Sequence, residues 1–216
     1  MGSKEIIDAR EYVLQSTSLQ GDFGTKLAYV INGGKFSIKS MYLSLIPQLQ
    51  KVPWKSITLH PNIHARHKFT LWLEILRRLA TVERLLKFGI HVPPTCAFCD
   101  SAMETADHLF FRCPITSSFW QRLLRWLGFH RAMEEWQDEV KWVCSNAKKK
   151  SGSGAIISSV FAMCVAIIWR ERNGIRFQKG QFQLDRVCRE VAVHIHIQGR
   201  TLKKWHQPLL TLNTMP

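Results

Sequence analysis

The chain has 216 residues, 46% hydrophobic and 11% aromatic, enough apolar material for a packed core and too much for wholesale disorder. Thirty Lys and Arg face sixteen Asp and Glu, giving a net charge of +14 and a pI near 9.9. A surplus of that size favours polyanionic partners, nucleic acid before anionic membrane, and the length fits one domain or one domain with an appendage.

The opening "MGSKEIIDAREYVLQ" lacks the apolar stretch of a secretory signal, and Ile6 stands where a myristoylation pattern requires Ser or Thr. An intracellular, reducing setting is expected, nuclear or cytoplasmic and not secreted, with cysteines free for metal rather than paired in disulfides. Residues 1–34 form an N-terminal segment. Next, "FSIKSMYLSLIPQL" offers Ser37 as an N-cap and Ile38, Met41, Tyr42, Leu45 and Ile46 along one helical face. In "ARHKFTLWLEILRRLA" a broad stripe of Phe69, Leu71, Trp72, Ile75, Leu76 and Leu79 predicts another helix. "TVERLLKFG" predicts a short one, with Thr81 as cap and Gly89 as stop, before Pro93 and Pro94 break the chain.

Beyond the cysteine-rich stretch, "PITSSFWQRLLRWLG" starts a helix at Pro114 and ends it at Gly128. "MEEWQDEVKWVCSNA" predicts a further helix, so that 35–147 reads as one helical unit. Residues 148–154, "KKKSGSG", read as a basic Ser/Gly linker. The C-terminal segment 155–216 begins with "AIISSVFAMCVAIIW", about five residues short of the roughly 20 needed to span a bilayer, hence a buried helix and no membrane partner. A long segment from Phe182 to about Trp205 completes the chain. The fold class expected is mainly α, a small helical domain stapled by a metal site, with additional C-terminal helices.

The staple is "CAFCDSAMETADHLFFRC": Cys96, Cys99, His108 and Cys113 in the order Cys-x2-Cys-x8-His-x4-Cys. Two residues between cysteines let both sulfurs address one centre from a tight turn, and Thr105 is placed to cap a helix carrying His108 towards Cys113. Leu109, Phe110 and Phe111 supply bulk to shield the ion. Four thiolate and imidazole ligands satisfy tetrahedral Zn2+ with no open position, so one structural zinc is expected. The competing reading is a set of reduced core cysteines beside a buried histidine.

Other candidates carry less. His60, His64 and His67 read as polar surface beside Arg66 and Lys68, and Cys144, Cys164 and Cys188 as small core residues. No phosphate-binding loop or Gly-x-Ser-x-Gly elbow occurs, and the six aspartates are dispersed singly, so no catalytic residues and no enzyme are expected.

The blocks "FSIKSMYLSL", "VPWKSI", "HKFTLWLEILRRLATVERLLKFGI" and "CAFCDSAMETADHLFFRCPITSSFW", in that order, resemble the reverse-transcriptase zinc-binding domain at the C-terminal end of plant LINE-type (non-LTR) retrotransposon polyproteins. The likeness runs from about Lys35 to Phe129, and "IIWRERNGIRF" extends it to about Phe177. It implies the same four zinc ligands, Cys96, Cys99, His108 and Cys113. It also implies a role in holding template RNA or target DNA, here in a stand-alone fragment without a polymerase palm.

Between Lys51 and Thr95, eight basic residues and two acidic ones give +6. Arg66, Lys68, Arg77, Arg78, Arg84 and Lys87 are candidate phosphate contacts there, with Lys148, Lys149 and Lys150 as a second patch. Arg170, Arg172, Arg176, Arg200, Lys203 and Lys204 offer a third. Phe98 either stacks on a base or packs on Phe110 or Phe111. The expectation is a non-catalytic, zinc-stabilised binder of RNA or DNA. The alternative is a protein-docking adaptor using exposed tryptophans such as Trp136, Trp142 and Trp205.

Overall fold

The computed structural model describes residues 31–32, 35–36, 38–39, 42, 52–147 and 152–212. The chain divides into two units, Met1–Lys51 and Val52–Pro216. In the first, β1 (Ile31–Asn32) pairs antiparallel with β2 (Lys35–Phe36), Ile31 opposite Phe36. Residues 38–39 and 42 are helical, with Ile38 and Tyr42 exposed. Ser37, Met41, Leu45 and Ile46 of the expected first helix, and Lys148, Lys149 and Lys150 of the expected linker, lie outside the described residues.

The second unit is helical among its described residues. Its elements are α1 (Lys55–Thr58), α2 (Ala65–Ile75), α3 (Val82–Lys87), a π turn (His108–Arg112), α4 (Pro114–Trp126), α5 (Trp136–Ala147), α6 (Gly152–Gln178), α7 (Leu184–Gly199), a 3-10 turn (Lys203–Trp205) and α8 (His206–Leu210). Helix α6 is the axis, packed by α1, α2, α4, α5, α7 and α8. From Ala155 to Ile168 it carries apolar side chains all round, Ser158 and Ser159 excepted, and is buried almost throughout, as a helix without a polar face must be.

The extent of α6 corrects the sequence expectation. It spans 27 residues, so by length and composition it could cross a bilayer. Yet 83% of its most apolar window is covered by the rest of the protein. It also begins inside the stretch expected to be linker, at Gly152. A Cβ there would lie 1.8 Å from the carbonyl oxygen of Lys204, so glycine lets the 3-10 turn press onto the start of the helix.

Local signals marked the other ends well. Pro114 occupies the first turn of α4. Gly89 and Gly128 follow α3 and α4 with φ of 74° and 84°, values that favour glycine. Patterning was less faithful for α2. Leu71 and Glu74 are buried against the core, whereas Phe69, Trp72 and Leu76 face solvent at 59%, 37% and 36% exposure. At 100° per residue these three lie about 100–160° round from Leu71, and only the face that meets α6 can be covered.

The tryptophans expected to form an exposed docking face are turned inward. Trp136 and Trp205 belong to the core, and half-buried Trp142 packs edge-on against Phe129 at 4.9 Å under the Arg131 guanidinium. An aromatic ring on a polar helix is still the largest apolar area that helix can contribute, and the core takes it.

A four-ligand metal centre

Cys96 and Cys99 belong to a tight hairpin. The Glu104 N–H donates to the Pro94 carbonyl at 2.9 Å, Thr95 pairs with Met103, and the Cys96 N–H reaches the Ala102 carbonyl at 2.7 Å. The Asp100 N–H closes the Cys-x2-Cys turn on the Cys96 carbonyl at 2.9 Å, with Asp100 itself at φ 51°, a left-handed conformation that aspartate tolerates.

The second ligand pair depends on a departure from the α-helix. Thr105 Oγ1 accepts from the His108 N–H at 3.0 Å, as the sequence predicts for a cap. From His108 to Arg112 the backbone widens into a π turn, closed by the Cys113 N–H donating to the His108 carbonyl at 2.7 Å. In an α-helix, five residues would place Cys113 about 140° round from His108. The wider turn returns it towards the same side, and the Pro114 ring then starts α4. Single π turns of this kind recur at functional sites.

The four donor atoms consequently lie within 4.8 Å of one another. Cys96 Sγ is 4.0 Å from Cys113 Sγ, and Cys99 Sγ is 3.3 Å from His108 Nε2. A tetrahedral ion with metal–sulfur bonds of about 2.3 Å requires sulfur–sulfur edges of about 3.8 Å, so the residues fit such an ion with small adjustment. Backbone N–H groups beside the Cys96 and Cys113 thiols favour the thiolate form. N–H groups of Phe98 and Cys99 serve Cys96, and those of Ile115 and Thr116, at the start of α4, serve Cys113. Cys96 donates its thiol proton to Cys113, which raises Cys96 well above the usual range and holds Cys113 down at about 7. A cation held by the four ligands would take the place of that shared proton.

Cys96 and Cys113 are buried, Cys99 and His108 half-buried. Leu109, Phe110 and Phe111 are fully enclosed and join the ligand loop to the core: Phe111 stacks on Trp136 at 5.6 Å and Phe110 lies 5.3 Å from the same ring.

Sequence reasoning missed Glu104, which ties the hairpin to α3 and α6. Its side chain, fully buried, accepts from the Val82 N–H at 3.1 Å, from Arg172 at 2.7 Å and from Arg176 at 2.9 Å. Arg176 also donates to the carbonyls of Pro93 and Thr95. Thr81, expected to cap α3, takes the cap backbone conformation but makes no side-chain cap bond; Glu104 performs that task. The only early sign was "RERNGIRF" ending the apolar helix, two arginines one turn apart that need a buried anion.

That network changes the account of the basic residues. Arg172 is 2% exposed and Arg176 13%, both bound to Glu104, so neither belongs to a free surface patch. Arg77 bridges Glu74 and Asp107 and lies over Trp136. Arg84 donates to the Arg77 carbonyl and covers Phe88, and Lys87 pairs with Glu83. Arg66 and Arg78 are exposed and Lys68 half-buried; among the described residues none of the three forms an ion pair. Phe98 is half-buried edge-on against Phe182 at 5.3 Å, a packing partner different from the phenylalanines expected. Cys144, Cys164 and Cys188 are buried in the core.

Residues 36–120, under half of the chain, match the model of the family described as zinc-binding in reverse transcriptase, to which this stretch is similar. The match contains all four ligand residues and ends within α4. No curated protein and no solved structure gave a match to the chain.

Proposed function

We propose that the protein is a non-catalytic nucleic-acid-binding module whose Cys96–Cys99–His108–Cys113 centre holds one structural Zn2+. Donor chemistry supports zinc: three thiolates and one imidazole suit a borderline-soft ion without geometric preference, and four protein ligands leave no position for a reacting water. When bound, the ion supplies cross-linking of the hairpin to the π turn.

The observation that carries the nucleic-acid reading is the charge left over after internal pairing. The acids are largely consumed within the fold, by Arg77, Arg131, Arg170, Arg172, Arg176 and Arg186 among others. A surplus of +14 therefore falls on outward cations such as Arg66 and Arg78, with half-buried Lys68 beside them. Contacts of this type neutralise phosphates and release counterions, giving affinity that falls with salt and depends little on sequence.

The test is fluorescence anisotropy of the zinc-loaded chain with single-stranded RNA and DNA at two salt concentrations, beside metal analysis. One zinc per chain and binding in the micromolar range or tighter, weakening steeply with salt, are expected. Absence of binding at low salt would remove the nucleic-acid role while leaving the metal centre intact.

A further inference from the structure

We infer that a groove between α2 and α6 receives an unpaired base of a single-stranded nucleic acid, with Arg66 taking the adjoining phosphate. The inference rests on the nucleic-acid reading above and assigns it a place that includes none of the four metal-ligand residues.

The groove has a volume of about 460 Å3, within the range of pockets that hold small organic groups. Arg66, Phe69, Thr70, Trp169, Asn173 and Gly174 are among its lining residues. Two of these are aromatic. Phe69 is 59% exposed, although it belongs to the apolar stripe of α2, and Trp169 is held by the Arg172 guanidinium 4.9 Å from its ring centre. An exposed ring and a braced one lining the same groove offer flat surface for stacking, and base–aromatic stacking is the usual source of sequence-tolerant affinity for single strands. Thr70 Oγ1 donates to the Arg66 carbonyl and Asn173 Oδ1 accepts from Arg172, which leaves the Thr70 oxygen to accept and the Asn173 amide nitrogen to donate to a ligand.

Charge selects the occupant. Arg66 forms no ion pair among the described residues, and Lys68 lies two residues further along the same helix. Nearby Glu171 and Glu190 are already engaged by Arg170 and Arg186, so they present no net repulsion to a phosphate. A duplex keeps its bases stacked and cannot present a ring face to such a groove; a single strand can.

Gly174 supplies a test that leaves the fold intact. A Cβ at this position meets nothing within 4 Å, so Gly174→Leu adds a side chain at the groove without an internal clash. Phe69→Ala and Arg66→Glu alter exposed side chains and accompany it. Each zinc-loaded full-length variant is titrated with a single-stranded oligonucleotide and with a duplex of the same length, with zinc content and thermal melting as controls. Losses of about fivefold or more for the single strand, with duplex affinity nearly unchanged for Phe69→Ala and Gly174→Leu, are expected. Ultraviolet cross-links from the bound strand should map to the peptides containing Phe69 or Trp169. Wild-type affinity in all three variants, with the parent still binding salt-sensitively, would overturn the groove and spare the broader reading. Equal losses for single strand and duplex in Phe69→Ala and Gly174→Leu would overturn it too. Failure of the parent to bind any oligonucleotide would end both.

Discussion

Glu74 shows how one side chain sets a pH dependence. It is fully buried in α2, and although Arg77 lies 2.8 Å from Oε1, Oε2 has no hydrogen-bond partner. Burial pushes its carboxyl up to about 8, more than the Arg77 guanidinium, shared with Asp107, pulls it down. A carboxyl raised on folding contributes stability that is full below the unfolded value and is lost as pH rises through the folded one. Stability should therefore decline between about pH 4.5 and about 8 on account of this residue. Glu74→Gln should flatten that decline and melt higher than the parent at pH 8.5; an unchanged pH profile would mean that Arg77 keeps the carboxylate ionised. The ligand residues obey a different rule, since metal binding expels protons from thiols. Metal affinity should rise with pH through the Cys113 value of about 7, and Cys96→Ala or His108→Ala should abolish stoichiometric zinc and loosen residues 90 to 127.

At the scale of elements, the hairpin and α6 are joined through Glu104. Removing one partner of a buried ion pair typically costs about 3–5 kcal/mol, because the other charge stays behind without compensation. Glu104→Ala strands Arg172, which is 2% exposed, and should lower stability in urea by about that amount while leaving all four ligands in place. Two glycines of α6 make a second contrast. Gly152→Ala drives a Cβ into the Lys204 backbone and should lower the melting temperature by several degrees. Gly174→Ala meets open space and should gain up to about 1 kcal/mol of helix propensity. Equal effects at both sites would mean that the 3-10 turn does not press on α6.

For the whole molecule, the question is which cations remain available once the fold has used its share. Arg77 is held by two acids and an aromatic ring, whereas neighbouring Arg78 is exposed. Arg78→Glu should weaken RNA binding and reduce its salt slope with little change in melting, whereas Arg77→Glu should lower stability first. If both variants fold and bind as the parent does, phosphate contacts lie elsewhere on the surface. The mixed roles of these two residues explain why net charge indicated a class of partner without indicating a face: charge is a sum, and pairing subtracts from it locally.

The sequence alone determined what short-range geometry governs. Cys96, Cys99, His108 and Cys113 could be picked out because their spacing is a property of one turn and one helix, and Pro114, Gly89 and Gly128 mark helix ends through their own backbone preferences. Only the tertiary structure decided which side of α2 is covered, that Trp136 and Trp205 serve the core, and that Arg172 and Arg176 close on Glu104 from some 70 residues away along the chain. It also decided that a glycine-rich stretch would be the first turn of the longest helix, because the Lys204 backbone leaves no room there for a side chain. Burial and ion pairing are relations between distant segments, and a local pattern holds no information about which neighbour will arrive.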